Sequence, residues 1–388
     1  MDASRFIAKR ISFKGNIAMV SIAVSFLVMI IAVTVSSGFR HEIRDGVSSV
    51  SGDVQLVSAE TGWGGEAVPV PMHPSYYGKL AEIPYIKDIE PVIYRGGIVK
   101  SGDNIHGVLF KGCRRDSLLS GLGVSVPARL AAKLGIAAGD DITAYFVGER
   151  VQVRKFHVVS LYDSILDSDE NMVVRTSLAD LQRLNGWDAG SVSALEFSLS
   201  PSFRSVDALE HAAADIGTVA MLYSSPEEPA VTASSAASRY PQLFDWLDLI
   251  DFNVLFILVL MTVVAGFNMI SGLLIILFEN IPVIGILKSV GMKDRHIAKI
   301  FLSASSSVVL KGMAAGNAVA LLLCWLQDIT KILRLDPQNY FVSYVPVHID
   351  LPLVLAADLG AYVVIMLLLL IPSLFISGVD PARTVRVS

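Results

Sequence analysis

The sequence predicts a membrane α-helical protein: four transmembrane helices, one plus three, with a large α+β extracytoplasmic domain after the first. Three observations carry this. Of 388 residues, 53% are hydrophobic and 17% charged, against roughly 25% charged in ordinary globular chains, and mean hydropathy is +0.57. The apolar excess is gathered into a few runs of about twenty residues or more, the length that spans a bilayer as helix. Residues 40–251, between the first run and the second, have the mixed, turn-punctuated pattern of a folded domain.

Each element follows from the residues. A flank, 1–16, precedes the first span, 17–39, which holds no charged residue. That run is too long for the apolar region of a cleavable signal peptide and lacks a small-x-small exit. The second span, 252–278, lies between Asp251 and Glu279. A loop, 279–299, leads to the third, 300–326, whose one charge is Lys311. A second loop, 327–358, leads to the fourth, 359–379, between Asp358 and Asp380, and a tail, 380–388, ends the chain. Basic residues collect in the N-terminal flank (Arg5, Lys9, Arg10, Lys14), in loop 279–299 (Lys288, Lys293, Arg295, Lys299) and in the tail (Arg383, Arg386). Loop 327–358 has Lys331 and Arg334, offset by Asp328 and Asp336. The positive-inside rule therefore puts the flank, loop 279–299 and tail in the cytoplasm, and 40–251 and 327–358 outside.

Within 40–251, Asp53–Val57, Ile142–Val147 and Val151–Val159 read as strands, with a turn at Gly148. Leu178–Leu184 and Val206–Ala214 read as helices, the first capped by Thr176 or Ser177. Pro226–Ser238, rich in Pro, Ser, Ala and Glu, reads as a flexible connection towards the membrane. Two cysteines, Cys113 and Cys324, exclude a disulfide framework and a multi-cysteine metal cluster. A net charge of −5 implies no polybasic nucleic-acid surface. There is no P-loop, no complete dinucleotide fingerprint at Gly121-Leu-Gly123, no second histidine at zincin spacing after His41-Glu42 and no G-x-S-x-G elbow. The acidic run Asp163, Asp167, Asp169, Glu170 lacks the EF-hand ligand order and reads as a solvated loop rather than a calcium site. No catalytic residue, metal site or cofactor of its own is expected, and the chain is not read as an enzyme.

Three features stand out. Residues 281–299 place Ile284, Leu287 and Val290 at helical spacing, with Lys288, Lys293 and Arg295 among polar neighbours. Pro282 fits the first turn and Gly291 the end. Such a helix either docks on a partner protein or rests on lipid headgroups. Lys311 lies about 17 Å along a helix from Lys299. It either snorkels or faces the bundle, or else marks a subunit or headgroup contact, and Gly312 and Gly316 beside it form a G-x-x-x-G face for close helix packing. Phe39 and Phe256 fall at the outer membrane–water boundary, where aromatics are usually anchors.

Four stretches, taken in order, resemble one family. They are Phe6-Ile-Ala-Lys-Arg10 with the span ending Gly38-Phe39-Arg-His-Glu-Ile43; Leu130–Gly135, Gly139-Asp140 and Phe156–Val159; Gln242–Phe301, with Phe267-Asn268-Met-Ile-Ser271 and Gly285-Ile-Leu-Lys-Ser-Val-Gly291; and Pro372-Ser373 with Asp380-Pro381-Ala382. Together they resemble the lipoprotein-releasing LolC/LolE permeases of the FtsX/MacB-like type VII ABC group. The resemblance implies a multi-pass inner-membrane subunit of a Gram-negative bacterium that transmits the motion of LolD-like ATPase subunits to its periplasmic domain. ATP and Mg would be bound by those partners. A second permease copy or paralogue would complete the dimer, lipoproteins would be the cargo and a LolA-like periplasmic carrier the acceptor. Ile284, Gly285, Leu287, Lys288 and Gly291 would form the ATPase-coupling helix, although Val283 stands where the family usually has an acidic residue. Phe39 and Phe256 would lie near lipoprotein acyl chains. The carrier-hooking loop of LolC-type permeases would fall between the strands near Ile142 and Val153, but Phe146–Gln152 has only the length of a tight hairpin, as in the LolE-type half. Two other roles fit the group: a MacB-like exporter permease, and an FtsX-like scaffold for cell-wall hydrolases, for which the external segment is large.

Overall fold

The computed structural model describes residues 16–60, 68–102, 104–114, 119, 121–148, 151–163, 172–203 and 205–373. They form two compact units, one within Met1–His41, Leu247–Arg334 and Tyr344–Ser388, the other Glu42–Trp246 with Leu335–Ser343.

The helical unit is built on four helices long and apolar enough to cross a membrane. Helix α1 (Asn16–Ser51) precedes the α+β unit in the chain, and the others follow it. The first three expected spans sit inside longer helices, because helix continues for as long as backbone partners are available and apolarity alone does not mark its ends. Thus α1 runs twelve residues past Phe39. The fourth, 359–379, begins inside a helix that starts at Leu351, and its last residues, 374–379, lie outside the described residues.

In the α+β unit, nine strands form one sheet in the order β11-β1-β10-β3-β4-β8-β5-β7-β6, with a further β3–β6 pairing. After α1 come β1 (Val54–Ser58), β2 (Val70–Pro71), helix α2 (Tyr77–Ala81), β3 (Ile86–Ser101), β4 (Asn104–Cys113), β5 (Gly123–Pro127) and α3 (Ala128–Leu134). Then follow β6 (Asp141–Phe146), β7 (Gln152–Tyr162), β8 (Val173–Ser177), α4 (Leu178–Asn185), β9 (Ser191–Val192), β10 (Ala194–Leu199), α5 (Val206–Tyr223), β11 (Val231–Ser235) and α6 (Ala236–Arg239). Strand β3 serves two layers. Its first half pairs with β10, while its second half pairs with β4 and with β6. The β3–β6 contact closes the ring β3-β4-β8-β5-β7-β6 into a small barrel, and closure removes free strand edges. Phe110, Phe146 and Phe156 fill it, with ring centroids 4.9 Å apart for Phe110–Phe146 and 5.3 Å for Phe110–Phe156. In β7, buried Phe156 and Val158 alternate with exposed Lys155, His157 and Val159, the period of two that a half-buried strand requires.

The expected strands at 53–57, 142–147 and 151–159 are β1, β6 and β7 within a residue or a few. Ser177, not Thr176, is the N-cap of α4, and its hydroxyl makes no capping bond. The helix expected at 206–214 extends to Tyr223, carried by buried Leu209, Ala212, Ala213, Ile216 and Ala220. One expectation is overturned. Pro226–Ser238 is not a flexible connection: Val231–Ser235 pairs antiparallel with β1 in β11, and Ser235 caps α6. Small polar residues suit that edge strand because helix α5 supplies the packing.

The remaining helices are α7 (Pro241–Glu279), α8 (Ile281–Ser289), α9 (Asp294–Thr330), α10 (Pro337–Tyr340), α11 (Leu351–Leu368) and α12 (Leu370–Ser373). Asp358 is not an outer boundary. It lies inside α11, which starts where Asp350 accepts from the Leu353 N–H and Pro352 occupies the first turn. The break between α11 and α12 falls four residues before Pro372, where the proline ring would meet the Leu368 carbonyl.

Candidate functional site

The short helix α8 lies between two long apolar helices. Asn280 precedes it, Pro282 sits in its first turn, and Gly291 ends it at φ +89°. Gly291 N–H donates to Lys288 O (2.9 Å) and Met292 N–H to Leu287 O (3.0 Å), the paired bonds of a Schellman motif. Lys288, nearly buried, reaches Asp294 at 3.0 Å and fixes the turn into α9. Ile284 is 1% exposed and packs with Leu287 into the chain's own helical core, beside Leu273, Ile297 and Phe301. Here the sequence reading needs correction, because the face with Ile284 and Leu287 is already covered. Gly285 is buried as well. The open apolar face is Val283, Ile286 and Val290, spaced as one helical stripe and respectively 39%, 59% and 82% exposed. Lone exposed aliphatics need no explanation; three on one face of a capped helix form an exposed apolar stripe.

Deeper in the unit, Gly312 and Gly316 of α9 meet α1. A Cβ on Gly312 would stand 2.8 Å from Ile22 Cγ2, and one on Gly316 would run into the Ala23 carbonyl. The expected close packing is therefore present, with α1 as its partner. Lys311 is exposed next to this seam. Sequence reading missed three polar links. Asn317 of α9 donates to Asp358 Oδ2 of α11 at 2.6 Å, while Asp358 Oδ1 and Asn317 Oδ1 are buried without a protein partner among the described residues. Asn268 of α7 donates to the Ser21 hydroxyl of α1. At the other end of the span, Ser36 Oγ donates to Asp251 Oδ1 at 2.7 Å and Arg40 pairs with the same carboxylate. The signal for the first pair was Asp350-Leu-Pro352, a helix start upstream of Asp358.

Phe39 and Phe256 differ. Phe39 is 8% exposed and presents no surface to a ligand, whereas Phe256 is 63% exposed on α7. In the α+β unit, Phe146 pairs with Gln152 at the end of the β6–β7 hairpin, so the connection is as short as the sequence indicates. Glu149 and Arg150 lie outside the described residues, as do Asp167, Asp169 and Glu170 of the acidic run, the basic residues of the N-terminal flank and the tail with Arg383 and Arg386. Among the described residues no cluster of three or more His, Cys, Asp or Glu side chains could hold a metal.

Residues 255–381 match the FtsX-like permease C-terminal family model. The lipoprotein-releasing system transmembrane protein LolC of Neisseria meningitidis serogroup B is 24% identical over 97% of this chain and 96% of its own. The corresponding protein LolE of Haemophilus influenzae is 22% identical over 88% of this chain and 87% of its own. This chain is similar to the LolC and LolE proteins over most of its length. Among solved structures, the match to the periplasmic region of MacB from Actinobacillus actinomycetemcomitans covers 50% of this chain and 95% of that one, at 11% identity and a TM-score of 0.32. The family-model match begins inside α7 and contains α8, α9 and α11, so the exposed apolar stripe and the Asn317–Asp358 pair both fall within it.

Proposed function

We propose that this permease is the transmembrane subunit of an ABC transporter that converts ATPase motion in the cytoplasm into movement of its α+β unit outside, extracting lipoproteins from the inner membrane for delivery to the outer membrane. The observation that carries the mechanism is α8. It is pinned by Ile284, Leu287 and the Lys288–Asp294 pair, and it offers Val283, Ile286 and Val290 to a partner. A helix anchored on one side and apolar on the other passes displacement to the helices that flank it. The sequence carries no P-loop, so ATP and Mg belong to a separate LolD-like ATPase. Similarity to LolC over nearly the whole length supports the lipoprotein cargo.

In this reading the chain works beside a second permease, a copy or a paralogue, and its cargo passes to a LolA-like carrier. The short β6–β7 hairpin leaves little to embrace that carrier, so docking uses other surface or the partner permease. Purification of the tagged chain from its host should recover an ABC ATPase, a second permease and trapped lipoprotein. Recovery of a cell-wall hydrolase in place of lipoprotein would favour the FtsX-like scaffold.

A further inference from the structure

The last turn of α1 ends inside the α+β unit among three cations drawn from three different elements. Lys111 of β4 donates to Val50 O at 2.6 Å. Arg175 of β8 reaches Ser49 O at 3.4 Å. Arg239 of α6 donates through Nη2 to Ser51 O at 2.8 Å and Gly52 O at 2.9 Å, and through Nη1 to Ser234 O at 2.8 Å. Gly52, at φ +66°, closes the helix by donating to Ser48 O. The final carbonyls of a helix have no partners within it and form the negative end of its dipole, so cations are the matching caps.

Lys111 is also half of a buried ion pair. Its Nζ lies 2.7 Å from Glu196 Oε2 of β10, and both side chains are about as buried as core aliphatics. Tyr94 of β3 donates to the other oxygen of Glu196. Burial and the Glu196 charge hold the Tyr94 phenol well above its ordinary pKa, so it stays a donor. A buried pair of this kind contributes little net stability compared with apolar packing but fixes one geometry. Arg239 stands two residues before Pro241, where α7 begins.

We infer that Lys111, Glu196 and Arg239 form a force-bearing joint, positioning residues that lock the end of α1 and the start of α7 to one sheet so that movement of either helix turns the α+β unit. The inference rests on the permease reading above and names the residues through which that reading would act.

The test uses the full complex in proteoliposomes with the double variant Lys111→Met/Glu196→Gln and, separately, Arg239→Gln, which leaves the buried pair in place. Hydrogen exchange of the amides of residues 50–53 should quicken about tenfold or more, with the barrel strands unchanged. ATP hydrolysis should stay near wild type while lipoprotein released per ATP falls about fivefold or more. Spin labels at Ser101 and Lys331 should show an ATP-dependent distance change in the wild type that both variants lose. That arm uses no lipoprotein, so a wrong cargo assignment would leave it intact. The charge swap Lys111→Glu/Glu196→Lys keeps an ion pair but sets a carboxylate against Val50 O, and it should not restore coupling. Wild-type coupling in folded Arg239→Gln and in the double variant, or full rescue by the swap, would overturn the joint.

Discussion

Gly316 has no side chain at the point where a Cβ would strike the Ala23 carbonyl of α1, and backbone cannot move aside as a side-chain tip can. Gly316→Val should therefore cost about 1–3 kcal/mol in thermal unfolding in detergent, while Gly360→Val, which meets open space, should stay within about 0.5 kcal/mol. The Asn317–Asp358 pair makes a different kind of prediction. Removing one partner strands the other in an apolar setting, so Asn317→Leu should cost about 1–3 kcal/mol, and Asn317→Leu/Asp358→Leu should recover most of it. A double variant less stable than the single would show that the carboxylate has a further role. Lys311 is exposed, so Lys311→Met should change stability by about 1 kcal/mol or less, with assembly and release near wild type. In the α+β unit, burial pushes the Cys113 thiol up to about 11, so at pH 8 it is held as the unreactive thiol. Maleimide labelling of the folded chain at that position should be slow and should accelerate on denaturation.

Helix α8 shows how far an element can be read from its residues. Its start at Pro282 and its end at Gly291 were legible, because capping chemistry is local and written in residue type. Which apolar face is free was not, because Ile284 and Val283 are equally apolar and only the packing of α9 decides that Ile284 turns inward. The same limit explains the span ends. The polar continuation of α1 and the Asp-rich opening of α7 carry no apolar signal, so the helix lengths depend on partners distant in sequence. The corrected face gives a sharp expectation. Val283→Asp and Ile286→Asp should leave the chain folded but release or uncouple the ATPase, since an unpaired charge in a desolvated contact costs roughly 3–5 kcal/mol. Ile284→Asp should instead lower yield and thermal stability. ATPase binding by pull-down and unfolding in detergent separate the two classes. Equal loss of ATPase from all three with folding intact would return the docking face to Ile284.

At the scale of the whole chain, four apolar helices and one α+β unit were legible from hydropathy and charge, whereas the barrel closure at β3–β6 was not, because strand order is set by long-range pairing. Orientation rests on the basic loop around α8. A single cysteine at Lys293 in a Cys-free background should resist an impermeant thiol reagent in intact spheroplasts, and one at Ser101 should react; the reverse pattern would invert the topology. The central claim is that ATP binding and hydrolysis by a partner are turned into lipoprotein release through this chain. The most direct measurement is transfer of a labelled lipoprotein from proteoliposomes holding the purified complex to soluble carrier, with ATP and without. The account predicts release that requires ATP, the partner ATPase and this chain together, and that fails when Val283 and Ile286 are both replaced by Asp. ATP hydrolysis stimulated by the complex with no lipoprotein leaving the membrane, or release that persists in the double variant, would contradict it.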